Sequence, residues 1–100
     1  MAYELIWSPA ARDDLHDIVV FIARDNPNRA MSFGYELISE TDRLQEFPES
    51  GRTVPEYRDD SLRELIFRQY RIVYRVNYEQ RLCLIARIWH SARGIPTLAR

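Results

Sequence analysis

Arginine is the residue type in this sequence most suited to chemistry: there are fourteen, and no lysine. A guanidinium stays protonated and grips phosphate or carboxylate with two parallel hydrogen bonds, but it does not move protons. Proton transfer near neutral pH falls to histidine, of which there are two, His16 and His90. Residues 68–93 bring the two types together: Arg68, Arg71, Arg75, Arg87, Trp89, His90 and Arg93. Such a set could bind a polyanion or an acidic protein, with His90 as its acid or base. Trp89 and Tyr70 could stack on bases, although such residues more often serve as core or rim packing.

Other chemistries have little to stand on. Cys83 lies inside an apolar run and reads as a small buried hydrophobe, not a nucleophile. One Cys and two His assemble no metal-ligand cluster, so neither metal nor cofactor is expected. There is no Gly-rich phosphate loop, no HExxH and no serine in a strained elbow.

Net charge is −1, unevenly spread. Residues 1–50 hold ten acids and four Arg, a balance of −6, and residues 51–100 hold five acids and ten Arg, a balance of +5. The basic half should attract polyanions or an acidic partner. One hundred residues predict one domain, 1–100, large enough to be stable without disulfides. Met1-Ala2-Tyr3-Glu4 has no basic region followed by an apolar stretch, and the run from Ile18 to Ala23 is too short to span a bilayer. The expectation is a cytoplasmic protein with no membrane role.

The positioning elements follow from periodicity. Tyr3 to Trp7 alternates as a strand. Ser8-Pro9 starts a helix, with Ala11, Leu15, Ile18, Val19 and Ile22 at helical spacing and Asp13, Asp14 and Asp17 near its positive end. Asn26-Pro27 starts a second helix, whose stripe of Ala30, Phe33, Leu37, Ile38, Thr41 and Leu44 predicts that it reaches about Glu46. Phe47-Pro48 stops it, and a polar loop follows to Asp60. Leu62–Arg68, Tyr70–Asn77 and Leu82–His90 read as strands with short joints, hence an antiparallel meander. The sum is a two-layer α+β domain, β-α-α-β-β-β, with a helical hairpin packed on a mostly antiparallel four-stranded sheet.

Alternation then sorts the faces. Tyr70, Ile72, Tyr74 and Val76 oppose Arg71, Val73 and Arg75, and Leu82, Leu84, Ala86 and Ile88 oppose Cys83, Ile85, Arg87 and Trp89. Setting the apolar faces against the helices leaves Arg71, Arg75 and Arg87 together on an open side. Two readings of that face stand: an interaction surface, or ordinary solvent arginines paired with acids on neighbouring strands. His90 is likewise either an acid/base or a hydrogen-bonded strand-end residue. His16 reads as a solvated helix residue.

Five segments in order carry a resemblance over nearly the whole chain. They are Ser8-Pro9-Ala10-Ala11-Arg12-Asp13-Asp14-Leu15, Phe47-Pro48-Glu49-Ser50-Gly51-Arg52, Leu62-Arg63-Glu64-Leu65, Tyr70-Arg71-Ile72-Val73-Tyr74-Arg75-Val76, and Ile88-Trp89-His90-Ser91-Ala92-Arg93-Gly94-Ile95-Pro96. Together they resemble the RelE/ParE toxins of type II toxin–antitoxin systems. The resemblance implies a toxin neutralised by a cognate antitoxin in a hetero-oligomer. RelE-like members cut messenger RNA on the ribosome, and ParE-like members poison DNA gyrase. On the nuclease reading Arg71 and His90 are the catalytic pair. Arg68, Arg75, Arg87, Trp89 and Arg93 are the binding residues. The chain departs from the nuclease pattern in having no Lys and no Tyr after Tyr78, and its ending looks more like the ParE-type members. The gyrase reading is therefore preferred. A ribosome-dependent nuclease and a diverged, non-toxic binding module are the alternatives.

Overall fold

The computed structural model describes residues 2–98. In chain order the elements are β1 (Glu4–Trp7), α1 (Pro9–Ala23), α2 (Pro27–Thr41), a 3-10 turn (Asp42–Gln45), β2 (Arg52–Thr53), β3 (Leu62–Phe67), β4 (Tyr70–Asn77), β5 (Leu82–His90) and a second 3-10 turn (Ser91–Arg93). The sheet order is β1-β5-β4-β3-β2, antiparallel except where β1 runs parallel to β5. The α+β class and the helical hairpin on one face are as the sequence predicts. The strand count is five, not four. The extra strand is a two-residue edge pairing inside the polar loop, too short to leave a periodic signal.

Both helices begin where the caps are. Ser8 Oγ accepts from Ala11 N at 3.0 Å, and Asn26 Oδ1 accepts from Arg29 N at 3.0 Å, each followed by Pro. The second helix stops five residues before Glu46. Thr41 bonds its hydroxyl back to the Ile38 carbonyl at 2.7 Å, and the chain tightens into a 3-10 turn that still drives Leu44 into the core. Ile38 leaves the expected stripe and is 40% exposed.

The core between the layers holds Ala11, Phe33, Leu37, Leu44, Leu65, Ile72, Tyr74, Cys83, Ile85 and Ile88. Burial pushes the Cys83 thiol up to about 11, which leaves it an inert hydrophobe. Tyr74 is also fully buried, so its hydroxyl must find partners: it donates to Pro48 O at 2.7 Å and accepts from Gly51 N at 3.0 Å. Gly51 permits this, since a Cβ there would stand 2.5 Å from the Glu64 carbonyl.

One irregularity reorganises β5. The β4–β5 register jumps between Val73, opposite Arg87, and Tyr74, opposite Ile85, so Ala86 is an extra residue. The expected face of Leu82, Leu84, Ala86 and Ile88 is therefore split. Cys83 and Ile85 face the helices before the bulge and Ile88 does so after it. The Ala86 carbonyl freed by the bulge accepts from Ser8 Oγ at 2.9 Å, tying the start of α1 to the sheet.

The outer face of the sheet is not open. Val54, Leu62 and Val73 form a second buried cluster there, joined by Tyr57 from the loop and Leu98 from the C-terminal segment. That segment crosses the face as a strap. Trp89 Nε1 donates to Gly94 O at 3.2 Å, Tyr57 Oη to Pro96 O at 2.7 Å, and Arg87 Nη1 to Thr97 O at 2.8 Å. Alternation along strands carries no information about loops folding back, which is why the sequence leaves this face bare.

Candidate functional site

Arg71, Arg75 and Arg87 do share the outer side of the sheet, but they do not form a free basic surface. Arg71 is 6% exposed. Its Nε donates to Glu64 Oε1 at 2.6 Å, and its Nη atoms grip both oxygens of Glu56 at 2.6 and 2.9 Å. The other oxygen of Glu64, itself buried, takes Arg52 Nε at 2.7 Å. The Arg71 guanidinium holds the Glu56 carboxyl below the usual range, and the two carboxylates in turn raise Arg71. The result is a closed Arg52–Glu64–Arg71–Glu56 chain beneath the strap.

Arg87 is the second such case. Also 6% exposed, it is gripped by both oxygens of Asp14 at 2.8 and 2.9 Å, which raises its pKa further. Asp14 does a second task. β1 ends opposite Ile85, leaving the rest of β5 without a neighbour on that edge, and Asp14 Oδ2 accepts the Ile88 N–H at 2.9 Å. No acidic residue falls in the first turn of α1, so the dipole reading of Asp13, Asp14 and Asp17 does not hold, and for Asp14 this tie takes its place. Arg75 is more exposed and pairs with Asp59 at 2.6 Å. Hydrogen bonds from Ser61, then from Arg75, push the Asp59 carboxyl down to about 2. Arg68, in the β3–β4 turn, pairs with Glu36 of α2 at 3.0 Å, and its hydrogen bond is the main cause of the lowered Glu36 pKa.

The remaining expected residues do converge. At the end of β5, a cleft of about 240 Å³ opens between α1 and the strand, lined by Asp14, Asp17, Ile18, Phe21, Tyr70, Ile88, His90 and Arg93. The His90 ring meets Tyr70 edge-on at 5.2 Å, and its Nδ1 accepts from Ala92 N at 3.0 Å, capping the 3-10 turn. That bond commits one ring nitrogen and leaves Nε2 as the group for any donor or acceptor role. Arg93 lies on the Trp89 indole at 3.8 Å, with Arg87 over the same ring at 5.0 Å. Among the described residues Arg93 has no ion-pair partner. Trp89 itself is buried.

Sequence reasoning missed Asp14, Glu56 and Glu64 as counter-ions, and Asp17 and Phe21 as walls of the cleft. Glu64 had a signal. In a β3–β4 hairpin with a two-residue turn it falls opposite Val73, one step along the face from Arg71. Asp14 had none, because its partner is 73 residues away.

No three metal-ligating side chains gather among the described residues, and no helix there is long and apolar enough to cross a membrane. A family model described as the ParE toxin of the type II toxin–antitoxin system parDE matches residues 5–95. The chain belongs to this ParE toxin family. Solved structures of similar fold include the chromosomal ParDE system of P. aeruginosa, at 21% identity and TM-score 0.73, covering 89% of this chain and 96% of that one. The RelBE2 toxin–antitoxin complex of Mycobacterium tuberculosis matches at 21% identity and TM-score 0.61, covering 90% and 99%. An arginine double mutant of E. coli RelE in the free state matches at 16% identity and TM-score 0.67, covering 94% and 88%. Among curated sequences, none matches. These identities establish the fold of this ParE-family chain and not its target.

Proposed function

We propose that this ParE-family chain is the toxin of a type II module, held inactive in the cytoplasm by a cognate antitoxin, and that it acts on DNA gyrase by binding. The observation behind this reading is the sequestration of Arg71 and Arg87. A ribonuclease must stabilise charge on a scissile phosphate, which asks for cations that are free in the resting site. Here the two central sheet arginines are each gripped by both oxygens of a carboxylate and lie under the strap. Poisoning a protein target asks only for a presented surface. Arg93, stacked on Trp89 beside His90 and without an ion-pair partner among the described residues, supplies one. Arg68, in the turn at the same end of the sheet, extends it.

A second reading has its own support. His90, Tyr70 and Arg93 line one cleft, a placement that a ribosome-dependent endoribonuclease would use for proton transfer and phosphate binding.

Parallel assays on the purified, antitoxin-free chain separate the two. The gyrase reading expects inhibited supercoiling and gyrase-linked DNA breaks with messenger RNA intact, weakened in Arg93→Ala. Messenger RNA cut on ribosomes, lost in His90→Ala with supercoiling untouched, would replace it with the nuclease. Folded protein that leaves both readouts and growth unchanged would leave a binding module only.

A further inference from the structure

The turn that carries Arg93 is fastened at both ends by side chains of β5. At its entrance His90 Nδ1 accepts from Ala92 N at 3.0 Å, while Ser91 N donates to Gln69 O at 2.9 Å. At its exit Trp89 Nε1 donates to Gly94 O at 3.2 Å. Gly94 sits at φ 84°, a setting open to glycine, and from there the chain leaves for the strap. Arg93 lies between the two fastenings, on the Trp89 ring at 3.8 Å.

The His90 fastening depends on a proton. An imidazole accepts through a lone pair, so the bond from Ala92 needs Nδ1 bare, with the ring's one proton on Nε2. A second proton takes that lone pair and sets two N–H groups against each other. Charged and titratable groups face the ring from each element packed around it. α1 brings Asp14, held by Arg87 through both oxygens, and the exposed Asp17. β4 brings Tyr70, whose phenol burial pushes up, so it stays neutral. The turn brings Arg93, and Arg68 in the adjoining β3–β4 turn is paired with Glu36. Asp17 favours a cationic ring; Arg93 and the cap oppose it. Of these residue types only histidine ordinarily changes charge between about pH 5 and 8.

We propose that His90 is a proton-operated latch on this turn. Neutral, it caps the turn and holds Arg93 on Trp89. Protonated, it drops the Ala92 N–H, and Arg93 leaves the surface it shares with Trp89. The opening stays local, because the strap beyond is tied separately, Pro96 O by Tyr57 and Thr97 O by Arg87.

The test is a titration of the isotope-labelled full chain from about pH 8 to 5, read by NMR at the His90 ring nitrogens, the Ala92 amide and the Trp89 indole N–H. At the upper end the ring should show the Nε2–H form. On acidification the Ala92 and Trp89 signals should move with the ring's own midpoint, and Ala92 should exchange about fivefold faster relative to its intrinsic rate. His90→Asn, whose side-chain oxygen caps at any pH, should hold both signals still. An Ala92 amide that stays put while the ring titrates, a ring that takes no proton in this range, an equal response in His90→Asn, or shifts spread over the whole chain would overturn the latch. Its consequence for a target rests on the gyrase reading: binding to gyrase should weaken severalfold on acidification in the parent and stay level in His90→Asn. A parent whose binding stays level while the latch opens would overturn that consequence. Neither protein binding gyrase, with the latch seen by NMR, would remove the gyrase reading alone.

Discussion

The outer sheet face and the helical hairpin invert what their sequences advertise. Residues 62–93 look like the basic, solvent-seeking part, yet Arg71 and Arg87 are each 6% exposed and gripped by both oxygens of a carboxylate. The hairpin looks like a packing element, yet Met31 and Tyr35 of α2 are about two-thirds exposed, and Arg12 of α1 has no ion-pair partner among the described residues. A cation's availability is decided by where the acids come from. At the sheet they arrive from α1, from β3 and from the loop before it, so charge that seems free along the chain is neutralised in space.

The contrast is broken most forcefully at Glu64. Glu64→Ala leaves Arg71 buried with half its partners and Arg52 unpaired, and should cost about 3–5 kcal/mol. A loss within about 1 kcal/mol in urea unfolding would mean the chain of ion pairs is slack. Asp14→Ala comes next, at roughly 2–4 kcal/mol, because it strips Arg87 and also leaves the Ile88 N–H unmet. Amide exchange at Ile88 should accelerate along with it.

Acid sharpens the same comparison. The carboxyl of Glu56 sits below 4.5 and that of Asp59 is pushed from 3.8 down to about 2. A carboxyl depressed in the folded state stabilises it above the unfolded pKa and loses that contribution as pH falls through the folded one. Stability should therefore hold above pH 4.5 and decline from there toward about 2. Glu56→Gln should flatten the decline in Tm measured across that window. A slope identical to that of the parent chain would count against the Arg71–Glu56 tie.

The smallest effects belong to the exposed arginines. Arg75→Ala should change stability by less than about 1 kcal/mol, since its pair with Asp59 is largely solvated. Arg93→Ala should leave Tm within about 2–4 °C of the parent, at roughly 0.5 kcal/mol or less. Its effect should appear in the target assay. Strong destabilisation there would show that the stack on Trp89 holds the turn together, as Asp14 holds the helix.

Much of this was legible along the chain. Ser8-Pro9 and Asn26-Pro27 mark both helix starts, and the alternation of β4 gives Arg71 and Arg75 their correct side. The meander follows from its short joints. What failed to show has a common cause. Periodicity assumes an unbroken strand, so one extra residue at Ala86 misassigns Leu82 and Leu84. It also treats loops as solvent, so the strap through Pro96 and the loop through Tyr57 and Val54 go unseen. Of the expected site, Trp89, His90 and Arg93 cluster as the sequence suggests. The counter-ions that disarm Arg71 and Arg87 come from distant segments that no local pattern connects.

The bulge has a consequence for how this strand can drift. Substituting any single residue of β5 alters one contact, whereas removing Ala86 would close the bulge and set Ile85 beside Arg87, with both halves of the strand keeping their faces. Cys83, Ile85 and Ile88 would stay inward and Arg87 outward, but the carbonyl that receives Ser8 Oγ would be gone, and α1 would lose that tie to the sheet. Sequences of this shape should therefore vary freely in side chain at that point while keeping the surplus residue for its carbonyl. Length, more than chemistry, is what the strand guards.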